Sequence, residues 1–361
     1  MKQPKRKSGF DYGLLVVVLL LVIIGLVILY STSAYNGRVK FHDSFYYLKK
    51  QLFATTIGLA LMYATANIDY HVWQKYAIMA YVVSVLLSAA VLIVGDEYNG
   101  SKRWLSFGPF SFQPSEFAKV AVILFLARVI VKKGKKMKQM KTLLVVMMFI
   151  LPIVGLVGAS NLSTAIIILG IGVILVFVAS PLYSQFLWLG ATGIGFLAIF
   201  LAVESYRLER LAIWRNPEKY EKGYQTLQGL YAIGSGGLFG QGIGNSVQKL
   251  GFVPEAQNDM IFSIVCEEWG LIGATFLVML FLVLIWRFFV IATKAEDMFG
   301  TLIATGAMAH MMIQVILNIA VVTNTIPNTG ITLPFVSYGG TSVMFLLMEM
   351  GLVLSVSNLI Q

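Results

Sequence analysis

Residues Thr142–Val203 read TLLVVMMFILPIVGLVGASNLSTAIIILGIGVILVFVASPLYSQFLWLGATGIGFLAIFLAV, without one charged side chain. An ordinary soluble domain is about 25% charged, so it would rarely run so far without a charge. A helix crossing a bilayer needs about 20 apolar residues, and this stretch is too long for two crossings. Gly155–Ser160 and the Ser180-Pro181 pair divide it into three. The same reading extends outward in both directions. Upstream lie apolar runs at Tyr12–Ser33, Gln51–Asn67, Val72–Val94 and Pro114–Val131. Downstream, Met260–Val290 supplies the eighth run. Met298–Met348 holds the ninth and most of the tenth, split by the Asn/Pro/Thr/Gly segment Thr323–Pro334. The expected fold is an all-α integral membrane protein, a bundle of about ten transmembrane helices at roughly 20 residues each. Residues 1–361 form a single domain, with one large extracytoplasmic loop, residues 204–259, between spans 7 and 8.

Composition agrees. Hydrophobic residues make up 58% of the chain and charged residues 12%, with a mean hydropathy of +0.80. A net charge of +10 on a soluble protein would suggest nucleic acid. Here the excess sits in two short clusters, Lys2, Lys5, Arg6 and Lys7 before the first span, and Lys132, Lys133, Lys135, Lys136, Lys138 and Lys141 after the fourth. Positive residues in short loops mark the cytoplasmic side. Four crossings separate the clusters, so both fall on that side, as do Arg287, Lys294 and both termini. Glu204–Asn258 then falls outside. The run Tyr12–Tyr30 is too long for the apolar core of a cleavable signal and reads as the first permanent span. Cys266 is the single cysteine, so no intrachain disulfide forms.

An ionisable side chain at mid-bilayer costs roughly 2.5–3.5 kcal/mol even on the lenient scale, so each one is a functional candidate. Glu116 and Lys119, three residues apart, share a helix face at the outer end of the fourth span. They suit a self-neutralising ion pair or a polar cavity open to the outside. Just before them, Lys102-Arg103-Trp104 suits an aromatic anchor with snorkelling cations. It suits equally a phosphate or pyrophosphate site, since arginine offers a planar donor fork. The glycine-rich Ile233–Gly244 has no preceding strand and no following Gly-Lys-Ser/Thr. Close helix packing or a re-entrant turn explains it better than nucleotide binding. Asp259 stands where the outer segment re-enters the membrane. Either Asn258 or Asp259 caps the next helix, or Asp259 is a general base whose pKa is raised by low-dielectric surroundings. Glu267 and Glu268 would be costly alone and are expected to bond to other helices. His310 stands isolated on an apolar helix and is expected to be packed and neutral. No Ser/His/Asp order, Cys/His metal spacing or zincin helix occurs, and no caged metal site is expected.

Three blocks resemble those of the SEDS family (shape, elongation, division, sporulation), which includes RodA, FtsW and SpoVE. The first is Arg103-Trp104-Leu105 through Phe112-Gln113-Pro114-Ser115-Glu116-Phe117-Ala118-Lys119. The second runs from Gly223-Tyr224-Gln225 through Gly251-Phe252-Val253-Pro254-Glu255 to Asp259 and Glu267-Glu268. The third is Pro327-Asn328-Thr329-Gly330 through Leu333-Pro334-Phe335-Val336-Ser337-Tyr338-Gly339-Gly340. With the ten-span layout, the likeness covers nearly the whole chain. It departs at Ala159-Ser160-Asn161-Leu162-Ser163-Thr164, where Asn161 replaces an acidic residue that many members carry. The block Gly244–Leu250 looks more like the FtsW/SpoVE branch than RodA.

The resemblance implies a peptidoglycan glycosyltransferase of the bacterial cytoplasmic membrane that polymerises lipid II on the outer face. It would work with a class B penicillin-binding protein, alongside other division or elongation membrane proteins, and without nucleic acid. Asp259 matches the proposed catalytic residue and would deprotonate the acceptor hydroxyl. Glu116 and Lys119 match positions tied to activity, and Glu255 joins them as a substrate-binding candidate. Lys102, Arg103 and Lys119 are candidates for holding pyrophosphate charge as it develops. No cofactor is expected to bind tightly; a loosely bound divalent cation, Mg or Mn, is a candidate to share that charge. The rivals are a lipid II flippase and a non-catalytic division scaffold. A flippase needs polar groups along the whole crossing, whereas the suspicious charges here gather at the outer ends of spans.

Overall fold

The structure, a computed structural model, describes residues 10–98, 101–107, 110–180, 190 and 212–360. The basic cluster Lys2–Lys7, the seventh span expected over 181–203, and residues 204–211 lie outside the described residues, as do Gly100, Gly108 and Pro109.

Eleven described α-helices follow one another. They are α1 Tyr12–Phe41, α2 Tyr46–Asn67, α3 Tyr70–Val94, α4 Pro114–Lys133, α5 Met140–Met148, α6 Leu151–Ser160, α7 Leu162–Ala179, α8 Tyr224–Ser235, α9 Ile261–Lys294, α10 Met298–Val322 and α11 Gly340–Asn358. Three short antiparallel strands, β1 Asp96–Tyr98, β2 Ser101–Phe107 and β3 Phe110–Phe112, link α3 to α4. Seven described helical stretches are long and apolar enough to cross a membrane: α1, α3, α5 with α6, α7, α9, α10 and α11. α2 and α4 have the same length with more polar residues, and they pack within the same bundle.

α1 shows why these helices belong in lipid. Leu14, Val18, Leu21, Gly25 and Ile28 are buried at helical spacing, while Val16, Leu20, Ile23 and Val27 form the exposed stripe. Both faces are apolar. A helix at a water boundary would carry polar residues on its outer face.

α7 ends before Ser180, as read in the sequence, but the earlier break is shifted. The helix continues through Gly155–Ser160 and ends at Asn161, whose Oδ1 accepts from Thr164 N at 3.2 Å and caps α7. A turn at Phe149–Ile150 ahead of Pro152 divides α5 from α6 instead, since proline supplies no backbone donor within a helix. The first span runs on to Phe41, and the second begins at Tyr46.

Contacts sort the helix ends onto two faces. On one face Arg287 Nε donates to Asp11 Oδ1 at 3.1 Å, His71 Nε2 lies 2.6 Å from Asp297 Oδ2, and Arg128 NH1 donates to Lys75 O at 2.9 Å. The basic segment Lys132–Lys141 joins α4 to α5 on this face. The opposite face carries Asp259, the strands, and the segment before α11.

On that second face the glycine-rich segment is threaded against α9. Gly270 breaks the helix at φ 66°, and the freed backbone pairs with the segment before it. Gln241 N donates to Glu267 O at 2.9 Å, Gly242 N to Glu268 O at 3.0 Å, and Leu271 N to Gly237 O at 2.9 Å. A Cβ on Gly240 would stand 2.2 Å from Glu268 O, and one on Gly270 2.3 Å from Gly240 N. Glycine is used here for close backbone approach. The adjoining buried carboxylates are fully partnered. Glu268 accepts from Ser31 Oγ at 2.7 Å on α1 and from Lys249 Nζ at 2.6 Å. Glu267, expected to reach another helix, bonds instead to the preceding loop, through Ser246 Oγ and Val247 N.

Candidate active site

Asp259 sits in the turn that leads the loop segment into α9. The cap position of α9 is Met260, and no side chain caps it, so neither Asn258 nor Asp259 serves as the helix cap. The side chain of Asn258 is turned back to Glu255, Nδ2 to Oε2 at 2.9 Å. Asp259 is held loosely at its carboxylate and firmly at its backbone. Gln225 Nε2, on α8, approaches its Oδ1 at 3.5 Å, while Asn318 Nδ2, on α10, donates to its carbonyl oxygen at 2.8 Å. Burial pushes the carboxyl up from 3.8 to about 6, and the neighbouring Glu255 charge adds to the rise. A loosely held carboxyl with a pKa near neutrality is what proton abstraction needs. Glu255 itself lies in the left-handed region at φ 47°, held there by the Val253–Asn258 turns.

Asn318 does a second task. The same Nδ2 donates to Ile331 O at 2.7 Å, so one buried amide ties the Asp259 turn to the segment before α11. One turn earlier, Gln314 Nε2 donates to Thr332 O at 3.0 Å. Its Oε1 accepts from Lys119 Nζ at 3.2 Å and lies 2.8 Å from His310 Nε2. His310 Nδ1 lies 2.8 Å from Glu349 Oε2 on α11. His310, Gln314 and Asn318 are four apart and share one face of α10. The histidine is therefore not isolated, as its apolar surroundings in sequence suggested. Its two ring nitrogens thus face Glu349 on α11 and Gln314 on α10.

Lys119 and Glu116 belong to this same network. Lys119 Nζ meets Glu116 Oε1 at 3.0 Å. Their exposures are 1% and 7%, so the two form an ion pair inside the bundle, one of the two arrangements their spacing suits. Two carboxylates, an ammonium and an imidazole meet across α4, α10 and α11.

Lys102 and Arg103 stand elsewhere. Arg103 Nε, on β2, donates to Ser160 O at 2.9 Å at the end of α6, and Lys102 Nζ donates to Ile93 O at 3.2 Å at the end of α3. Both bonds tie the strands to helix ends. Among the sequence-nominated residues the structure thus brings together Asp259 with Glu255, and Glu116 with Lys119. The residues the sequence reading missed are Gln225, Gln314, Asn318 and Glu349. The signal was present in the four-residue polar spacing along an otherwise apolar α10. Among the described residues no group of three or more His, Cys, Asp or Glu side chains is placed to hold a metal ion.

Comparison with known proteins adds to this geometry. The family model described as cell cycle protein, FtsW/RodA/SpoVE, matches residues 12–360. Stage V sporulation protein E of Bacillus subtilis is 40% identical over 360 residues, covering 98% of each chain. The probable peptidoglycan glycosyltransferase FtsW of Trichlorobacter lovleyi is 35% identical over 363 residues, 99% of this chain and 95% of the relative. Among solved structures, a peptidoglycan synthase complex that coordinates polymerization and crosslinking contains a chain matching with a TM-score of 0.83 at 30% identity, over 96% of this chain and 97% of that one. The rod shape determining protein RodA of Thermus thermophilus matches with a TM-score of 0.72 at 28% identity, over 96% of each chain.

Proposed function

The chain belongs to the FtsW/RodA/SpoVE family, and on that premise we propose that it polymerises lipid II with Asp259 as the general base. It is a multi-pass membrane protein and a peptidoglycan glycosyltransferase. The face that carries Asp259 is taken as the outer face, with both termini cytoplasmic.

In glycosyl transfer from a polyprenyl-pyrophosphate donor, the acceptor hydroxyl must lose a proton as the donor's anomeric carbon loses pyrophosphate. Asp259 takes that proton. Gln225 steadies the carboxylate through one long hydrogen bond, together with the Met260 backbone. Asn318 fixes the backbone from which the carboxylate projects, and Gln314 fixes the neighbouring segment. Glu116, Lys119, His310 and Glu349 act behind these two amides as positioning residues. A divalent cation carried loosely by the pyrophosphate is compatible with this arrangement. The partner is a class B penicillin-binding protein that crosslinks the new strand; the related synthase complex, named for coordinating both activities, supports this.

The observation that carries the reading is the raised, loosely held carboxyl of Asp259 beside a braced backbone. The deciding experiment is polymerisation of purified lipid II by the full chain, alone and with a co-purified transpeptidase, for the natural protein and Asp259→Asn. Glycan made by the natural protein and not by the variant is the expected result; near-normal synthesis by the variant removes Asp259 from the mechanism.

A further inference from the structure

Four cations crowd the junction of α1 and α2. Arg38 and Lys40 lie in the last turn of α1, Lys49 and Lys50 near the start of α2, and Asp43 is the one acidic residue between them. All four cations are exposed. Arg38 and Lys40 gain from the negative end of the α1 dipole, but Lys49 and Lys50 stand near the positive end of α2, whose first turn contains no acid. The junction also lies on the face opposite the Lys132–Lys141 loop, where short-loop cations are disfavoured. Two independent terms therefore oppose Lys49 and Lys50. The exposed Lys49–Asp43 contact at 2.8 Å offsets little of either.

Lys50 is also held in place. Lys50 Nζ lies 4.5 Å over the ring of Tyr46 and donates to its hydroxyl at 2.7 Å. Phe41 stacks on the same ring at 3.7 Å and 9°. The junction adjoins the Asp259 loop. Asn36 Nδ2 donates to Gln257 Oε1 at 2.9 Å, Tyr338 N donates to Gln257 O at 2.9 Å, and the Tyr338 ring meets Tyr47 edge-on at 5.0 Å. Lys119 lies inside the bundle against Glu116, while Arg103 and Lys102 each donate to a carbonyl at a helix end.

We propose that the α1–α2 junction, through Arg38, Lys40, Lys49 and Lys50, binds a lipid-borne pyrophosphate beside the Asp259 loop. The site gathers positive charge where an anion must rest, and a bound diphosphate relieves both penalties on Lys49 and Lys50. It rests on the glycosyltransferase reading above, with the donor's diphosphate as the ligand.

The test uses the full chain in nanodiscs of neutral phosphatidylcholine, with polyprenyl pyrophosphate as the probe and phosphatidylglycerol as the competing source of lipid phosphate. Lys49→Gln/Lys50→Gln is expected to weaken probe binding roughly 10- to 30-fold. Lys49→Arg/Lys50→Arg keeps the charge and should retain affinity, and Asp259→Asn should bind as the natural chain does. Unchanged affinity in the glutamine pair overturns the site, as does an equal loss toward phosphatidylglycerol, which would mark a membrane-headgroup contact. Lipid II polymerisation is measured alongside. Polymerisation by the natural chain with binding unchanged in the glutamine pair refutes this site alone. Charge-dependent binding without any polymerisation, either alone or with the co-purified transpeptidase, supports the site and refutes the catalytic reading.

Discussion

At the scale of the residue, Asp259 carries the strongest consequence. General-base help contributes typically about 10²–10⁴-fold, so Asp259→Asn should lose glycan synthesis by about that factor while reaching the membrane in normal amount. The pKa of about 6 adds two tests. A base must be ionised, so the rate of the natural chain should fall as pH drops through about 6, well above the 3.8 of an ordinary aspartate; an acid limb near 4 would refute the assignment. The stability sign is opposite to that of a salt-bridged carboxylate. A folded-state pKa above the unfolded one means the folded chain binds the proton more tightly, so ionisation through the window from 3.8 to about 6 costs stability as pH rises. Asp259→Asn should therefore melt at the same or a higher temperature than the natural chain at pH 7, read as Tm in detergent. Lys119 is the contrasting case. With 1% of its surface exposed beside Glu116, Lys119→Ala leaves an uncompensated buried charge, at a cost of roughly 3–5 kcal/mol. Folded protein should fall sharply for that variant. Glu116→Gln/Lys119→Met, which removes both charges, should recover much of it, and failure of the pair to recover would mean the ion pair is not what the single change breaks.

At the scale of the element, α10 and α9 do different work. α10 presents His310, Gln314 and Asn318 along one face, and its amides brace the Asp259 turn and the segment at Ile331–Thr332. Asn318→Ala leaves two carbonyls without their donor, at about 1–3 kcal/mol for each group left buried and unpaired. The expected outcome is lost activity with a displaced acid limb in the pH profile, because the carboxylate's backbone is no longer fixed; an unchanged pH profile would make the asparagine purely structural. α9 is broken at Gly270, where φ is 66° and Gly240 N would stand 2.3 Å from an added Cβ. Gly270→Ala combines a clash with a left-handed backbone costing roughly 1–3 kcal/mol, so Tm should drop by several degrees. The glycine density of Ile233–Gly244 was visible in the sequence as a packing signal. Its partner was not, because the backbone pairing with Glu267, Glu268 and Leu271 depends on where α9 breaks.

At the scale of the whole molecule, the two faces of the bundle set the topology. A Lys222→Cys probe should react with an impermeant thiol reagent from outside, and a Lys136→Cys probe should not, each in a Cys266→Ala background; the reverse pattern inverts the molecule. Charge clusters and apolar run lengths suffice to predict this arrangement, since a bilayer imposes one span length and one preferred side for cations. Those two constraints act locally along the chain. That is why the described spans were legible before any coordinates, and why Asp259, Glu116 and Lys119 stood out as candidates. What the chain could not announce was the company each residue keeps. Arg103 and Lys102 suited an interfacial anchor or a pyrophosphate site equally, and each donates to a carbonyl at a helix end. His310 read as solitary and proved to join α10 to α11 through Glu349, and Asn318, unremarked in sequence, reaches Asp259 across 59 residues. Helical periodicity assigns a side chain to a face of its own helix, but hydrogen bonds between helices are fixed only when those faces pack, so the network behind the Asp259 turn was decided by tertiary structure alone.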